Sequence, residues 1–196
     1  MEILYFSSVP SPNEFNRIKK TIRPDVNITT YGMNESGYKF HTLLMNGLSQ
    51  HKHVNIKSLV GRSVSHQTHL GLYWKKRREK VSPNLEYIHL GFFNLPIIKH
   101  LSIGLFSFIY TLSWQIKNRK KEKGVILDAA YITANPFVIA ACKLFCCSKT
   151  AIFCDVYDYM ANVQDAQKNN TDRITLKLAR KISNFTYKNL DSFIFL

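Results

Sequence analysis

Acidic side chains are scarce in this chain. Thirteen Asp and Glu stand against 27 Lys and Arg, a formal net charge of +14 over 196 residues. That balance excludes a surface built to attract cationic partners and points to something acidic: nucleic acid, anionic lipid or a phosphorylated substrate. No G-x-G-x-x-G fingerprint is present, which removes the usual nicotinamide-binding turn. No uncharged apolar run reaches the ~20 residues of a bilayer span; the longest in its region is Leu101–Ile116. The opening MEILYFSSVP carries Glu2 where an export signal carries basic residues, and its apolar run is short. The expectation is a chain in the reducing cytoplasm. There, the four cysteines (Cys142, Cys146, Cys147, Cys154) are expected as small buried hydrophobes, with Cys142 and Cys146 on one helix face. Their spacing does not suit zinc, and no metal site is expected. Internal repeats and low-complexity tracts are absent.

The apolar residues alternate between short continuous runs and helical periodicity. Ile3–Val9 reads as a buried first strand, followed by a turn-rich, proline-bearing stretch and an irregular region to about Ser36. Phe40, Leu43, Leu44, Gly47 and Leu48 fall at helical spacing, so a helix is expected from near Gly37, with Ser36 as its cap. Strands follow at Val54–Val60 and Leu85–Leu90. A helix is expected over Pro96–Lys117, then a strand at Val125–Leu127 and a helix from Asn135-Pro136 to about Cys147. A strand at Thr150–Cys154, a helix capped by Asp172 and a last strand at Phe193–Leu196 complete the series. The order β-α-β-β-α-β-α-β-α-β predicts one Rossmann-like, doubly wound, mainly parallel α/β domain over residues 1–196. Because the chain stops at the end of a strand, it is expected to be the front half of a longer two-domain protein.

The two basic runs, Lys75, Lys76, Arg77, Arg78 with Lys80 and Lys117, Arg119, Lys120, Lys121 with Lys123, read as solvated loops or helix ends. They can equally face an anionic membrane. The Pro96–Lys117 helix between them is apolar nearly all round and is expected in the core, with a membrane-surface position as the alternative.

Ligands of such sheets bind beyond the carboxyl ends of the strands. The candidate positions are therefore the Ser7–Pro12 turn, the Ser36–His41 turn, Asp128–Asn135 and Asp155–Tyr159. In YGMNESGYKF, Gly32 and Gly37 have P-loop spacing, but Tyr38 precedes Lys39 and Phe40 follows it, so the nucleotide-hydrolase pattern fails. What remains is a glycine at a helix start, where backbone N–H groups and a close approach suit an anionic ligand. Lys39 and His41 are possible added donors, and an ordinary helix start is the plainer reading. Asp155 and Asp158 in CDVYDY, and Asp128 after the preceding strand, suit acceptance of hydrogen bonds from substrate hydroxyls, with capping as the alternative. The D-x-x-D spacing does not match a metal-dependent D-x-D site.

SGYKFHTLLMNGL resembles the glycine turn and first helix of bacterial sugar transferases of glycosyltransferase family 4. VILDAAYITANPFVIAACKLFCCSKTAIFCDVYDY is similar to the stretch where their fourth and fifth strands end in substrate-facing loops. YKNLDSFIFL resembles the strand before the crossing to their second domain. The resemblance runs the length of the chain. It implies a GT-B architecture of two Rossmann-like domains, with this chain as the N-terminal, acceptor-side one. The implied reaction moves a sugar from a nucleotide-sugar to a saccharide, lipid-linked or protein acceptor, with retention, in cell-surface polysaccharide synthesis and without a metal.

On this reading the isolated domain is inactive, because the E-x7-E element belongs to the second domain. Glu79 and Glu86 are one residue too close to form it. Asp155 is implied as the catalytic contact. Ser36, Gly37, Lys39, His41, Asp128 and Asp158 are implied as substrate-binding. Cys154 stands where many members carry histidine, which puts that contact in doubt. A lipid-linked acceptor implies a position at the inner face of the cell membrane. The rival is a non-catalytic basic module for anionic membrane or RNA. Nucleic acid is the weaker partner, because only Tyr73 and Trp74 beside Lys75 interleave aromatic and basic residues.

Overall fold

A computed structural model of the chain describes residues 1–25, 35–129, 134–145, 147–153, 181–182 and 184–195. The elements that position the site are β1 (Glu2–Ser7), α1 (Pro12–Lys19), α2 (Glu35–Ser49), β2 (Asn55–Val60), β3 (Tyr73–Trp74), β4 (Arg77–Ser82), β5 (Leu85–His89), β6 (Phe92–Phe93), α3 (Pro96–Lys117), β7 (Lys123–Asp128), α4 (Asn135–Lys143), β8 (Ser148–Phe153) and β9 (Ser192–Phe195), and residues 184–188 before β9 are also helical. Seven strands form one sheet in the order β4-β5-β2-β1-β7-β8-β9, and β3 and β6 pair separately. All pairings in the large sheet are parallel except β4 with β5. Numbered among themselves, the six parallel strands run 3-2-1-4-5-6, the doubly wound Rossmann-like order.

Strand alternation divides the core in two. Leu4, Phe6, Leu59, Ile88, Val125 and Leu127 pack beneath Ile103 and Trp114 of α3, Val138 and Ile139 of α4, and Ile18 of α1. Ile3, Tyr5, Ile56, Val60, Leu85 and Tyr87 point the other way, against Met45, Phe40, Leu44 and Leu48 of α2. Period-two burial on both faces is why the strands read as near-continuous apolar runs.

Three expectations need correction. The stretch after β1 is not irregular throughout: Ser11 Oγ accepts from the Glu14 N–H at 3.3 Å and Pro12 opens a helix, α1, so a proline that looked like a breaker is an N-terminal starter. The first basic run is not a loop or helix end. Arg77–Ser82 is an antiparallel edge strand on β5, and its exposed charges suit an edge that must not pair further. Helix α4 ends at Lys143, short of Cys147. Cys142 therefore has the buried Cys147 as its thiol neighbour, which pushes the Cys142 thiol up, with burial adding to it. Cys146 lies outside the described residues.

Helix α3 has the bounds expected of it, but beside Ile103 and Trp114 its inward face carries small and polar side chains. Gly104, Ser107, Thr111 and Gln115 are buried, and Gln115 Nε2 donates to the Ala141 carbonyl of α4 at 3.1 Å. Gly104 is required there, because an added Cβ would stand 2.5 Å from the Phe137 ring. Several of its bulky apolar side chains turn outward: Ile97 is 75% exposed, Leu101 58%, Leu105 52% and Ile109 52%. The expectation of a core helix holds for one face only. Leucine and isoleucine raise hydropathy whichever way they point, and the row of small residues against α4 sets the direction.

Candidate functional site

The order of parallel strands reverses between β1 and β7, which makes their carboxyl ends the expected ligand crevice. To one side, the ends of β2 and β5 are covered by α1. Arg62, which follows β2, is fully buried. Its Nε lies 2.6 Å from Glu14 Oε1, and its other nitrogens donate to the carbonyls of Leu90 (2.6 Å) and Lys75 (3.0 Å). The Ser11 N–H donates to His89 Nε2 at 3.2 Å, while Ser11 Oγ and Asn13 Nδ2 donate to the Glu79 carboxylate. Burial, then Arg62 and Arg77, holds His89 down to about 3, so its ring is neutral. This cluster fixes α1 to the sheet. Only Ser11 fell within a stretch singled out from sequence, the Ser7–Pro12 turn; its partners Glu79 and His89, 68 and 78 residues away, are brought to it by the fold alone.

At the β1–β7 junction lies a second polar cluster. Tyr5 in β1, His41 in α2 and Asp128 at the end of β7 all project to the α2 face. The Tyr5 hydroxyl is hydrogen-bonded to His41 Nδ1, and His41 Nε2 stands 3.7 Å from Asp128 Oδ2. His41 is 3% exposed and Asp128 4%. Burial lowers the His41 pKa, with Asp128 opposing, so the imidazole is neutral. If the tyrosine donates to Nδ1, the remaining ring proton sits on Nε2, facing Asp128. The Asp128 carbonyl also accepts from Asn135 Nδ2 at 2.9 Å, which ties the end of β7 to the start of α4. The cluster can hold the floor of the crevice in one geometry and orient the Asp128 carboxylate.

Of the residues singled out from sequence, the structure thus brings His41 and Asp128 together and buries both. Lys39, two positions from His41 on the helix, is exposed on the other side of α2. Gly37 lies in the first turn of α2 and is partly exposed. Helix α2 is described from Glu35, so Ser36 is in its first turn instead of capping it from outside; its side chain lies outside the described residues. Asp155 and Asp158 also lie outside them. Tyr5 was missed, although a tyrosine inside a fully buried strand is a visible signal for a polar partner. Among the described residues, no group of three His, Cys, Asp or Glu is placed to hold a metal ion.

The basic residues divide between faces. Arg77 and Glu79 lie on the α2 side of the edge strand. Arg78 lies on the α3 side, where Lys57 of β2, Lys76 and Lys117 join it around a cavity of about 510 Å³. Arg119, Lys120 and Lys75 are exposed outside that cavity, and Lys121 pairs with Glu2 at 2.8 Å. No protein-family model matches the chain, and no curated protein matches it.

Proposed function

We propose that this Rossmann-like domain is the acceptor-side half of a retaining glycosyltransferase of GT-B type. It would act with a second domain that holds most of the nucleotide-sugar. The observation that carries the reading is the β1–β7 switch point, beyond whose strand ends doubly wound sheets take their ligands, with Asp128 and the Tyr5–His41 pair buried beneath it. Resemblance of the α2 start and the β7–β8 region to family 4 transferases supports it.

In this reading the acceptor hydroxyl lies over the ends of β1 and β7, and Gly37 lets it approach the backbone of α2. Lys39 stands at the rim. Asp155 and Asp158 contact sugar hydroxyls. The neutral Tyr5–His41 pair keeps the Asp128 carboxylate from turning away. Catalysis is then chiefly positioning, together with charge stabilisation of the departing nucleoside diphosphate. No protein metal enters the scheme.

The test is transfer from a panel of labelled nucleotide-sugars by the full-length gene product, with a lipid and polysaccharide extract as acceptor and the anomeric configuration read by NMR. Incorporation with retention is expected, while residues 1–196 alone should not turn over. Inversion, turnover by the 196-residue chain alone, or no transfer from any donor contradicts the proposal.

A further inference from the structure

The exposed face of α3 and the cationic cavity beside it meet in one surface. Leu101, Leu105 and Ile109 follow one another at four-residue spacing along the outer side of the helix, each more than half exposed. Ile109 and Phe106 continue into the cavity wall. Across the cavity, Tyr73 packs its ring 5.0 Å from that of the exposed Phe93, which extends the apolar surface onto the small β3–β6 sheet.

The cavity itself is a built site. Four cations line it: Lys57, Lys76, Arg78 and Lys117. The Lys76 ammonium stands 5.8 Å from the centre of the Tyr110 ring, and Lys57 reaches Glu86 at 3.8 Å, so only part of its charge is offset. Trp114 also lines the cavity. Its indole N–H is buried and has no hydrogen-bond partner among the described residues. Four cations converging on a partly aromatic cavity suit an anionic oxygen group.

We infer that this surface docks on an anionic phospholipid membrane, with the cavity taking a lipid headgroup phosphate and the outer face of α3 lying in the headgroup–acyl boundary. Charge selects the occupant. A protein partner would have to bring both an apolar groove and a clustered anion, whereas every anionic phospholipid presents a phosphate above hydrocarbon. Helix α3 is long and apolar enough to cross a membrane, but its packing on α4 and the sheet holds it flat against the domain. The surface lies on the α3 side of the sheet, opposite the face that holds Tyr5, His41 and Asp128, and its assignment does not rest on the transferase reading.

The test is flotation of the 196-residue chain with vesicles of phosphatidylcholine alone and of phosphatidylcholine with phosphatidylglycerol. Binding to the anionic vesicles only is expected. Lys76→Gln/Arg78→Gln/Lys117→Gln should lose roughly 100-fold in partition, about fivefold per cation. Lys20→Gln/Lys52→Gln/Lys188→Gln, an equal charge change at exposed sites elsewhere, should lose much less. Leu101→Gln/Leu105→Gln/Ile109→Gln alters only exposed positions and should abolish the binding that survives high salt.

Equal losses from the two lysine-and-arginine sets would overturn the inference. So would binding to RNA through the same residues without vesicle binding, or competition by inorganic phosphate at submillimolar levels, which would mark a site for a soluble ligand. A stable dimer that dissociates on Leu101→Gln/Leu105→Gln/Ile109→Gln would assign the face to a second copy instead.

Discussion

His89→Gln should relieve part of the acid sensitivity of the fold. His89 ends β5, is 1% exposed, and accepts the Ser11 N–H that starts α1. Burial, with Arg62 and Arg77 adding repulsion, holds its folded pKa down to about 3, against about 6.5 in an unfolded chain. The unfolded state therefore takes up the proton first as pH falls. The stabilisation is complete above pH ~6.5 and declines through the interval down to about 3.

Each pH unit inside that interval removes about 1.4 kcal/mol, so at pH ~5 the loss from this one group is about 2 kcal/mol. Glutamine can offer an oxygen to the same N–H and does not titrate. Urea unfolding at pH 7 and pH 5 should show wild type losing about 2 kcal/mol more than His89→Gln over that range, at an unchanged m-value. Burial lowers His41, His69 and His100 as well, so both proteins should weaken with acid and only the difference reports on His89. Parallel losses in the two proteins would refute the reasoning.

Three further outcomes follow from the packing. Glu14→Ala leaves the Arg62 guanidinium buried without its counter-charge and should cost about 3–5 kcal/mol in urea unfolding. Glu14→Gln, which keeps the shape, should cost less. Ile103→Ala on the inner face of α3 should cost about 2–5 kcal/mol, while Leu105→Ala two positions on should stay within about 0.5 kcal/mol; comparable costs would mean that the outer face is covered in solution. On the proposed transferase reading, Asp128→Asn should lower transfer by the full-length protein at least about tenfold while shifting the melting temperature little, since His41 can keep a neutral hydrogen-bonding partner.

The element series was largely legible because the central parallel strands are buried on both faces and the helices after α1 carry a clear period. Pro96–Lys117 emerged with the right bounds from its starting proline and the lysine at its end. What periodicity could not supply was direction: hydropathy gives the same value to Leu105 facing solvent as to Ile103 facing the sheet. Arg77–Ser82 was illegible as a strand because charge on both faces of an edge has the composition of a loop. At the candidate site, His41 and Asp128 were named separately from their element ends, but their pairing, and Tyr5 beneath them, depend on the sheet register. The Arg62–Glu14 pair left no local signal, since each residue alone reads as ordinary surface charge.

Amide-shift mapping of the isotope-labelled chain, titrated with nucleotide-sugars and oligosaccharides, addresses the β1–β7 crevice most directly. The expected result is saturable perturbation of Ser7–Val9, Gly37 and Asp128–Ala129, with the amides around Lys76, Arg78 and Lys117 unmoved. Perturbation confined to the α3 side of the sheet, or none at these strand ends with any sugar ligand, would contradict it.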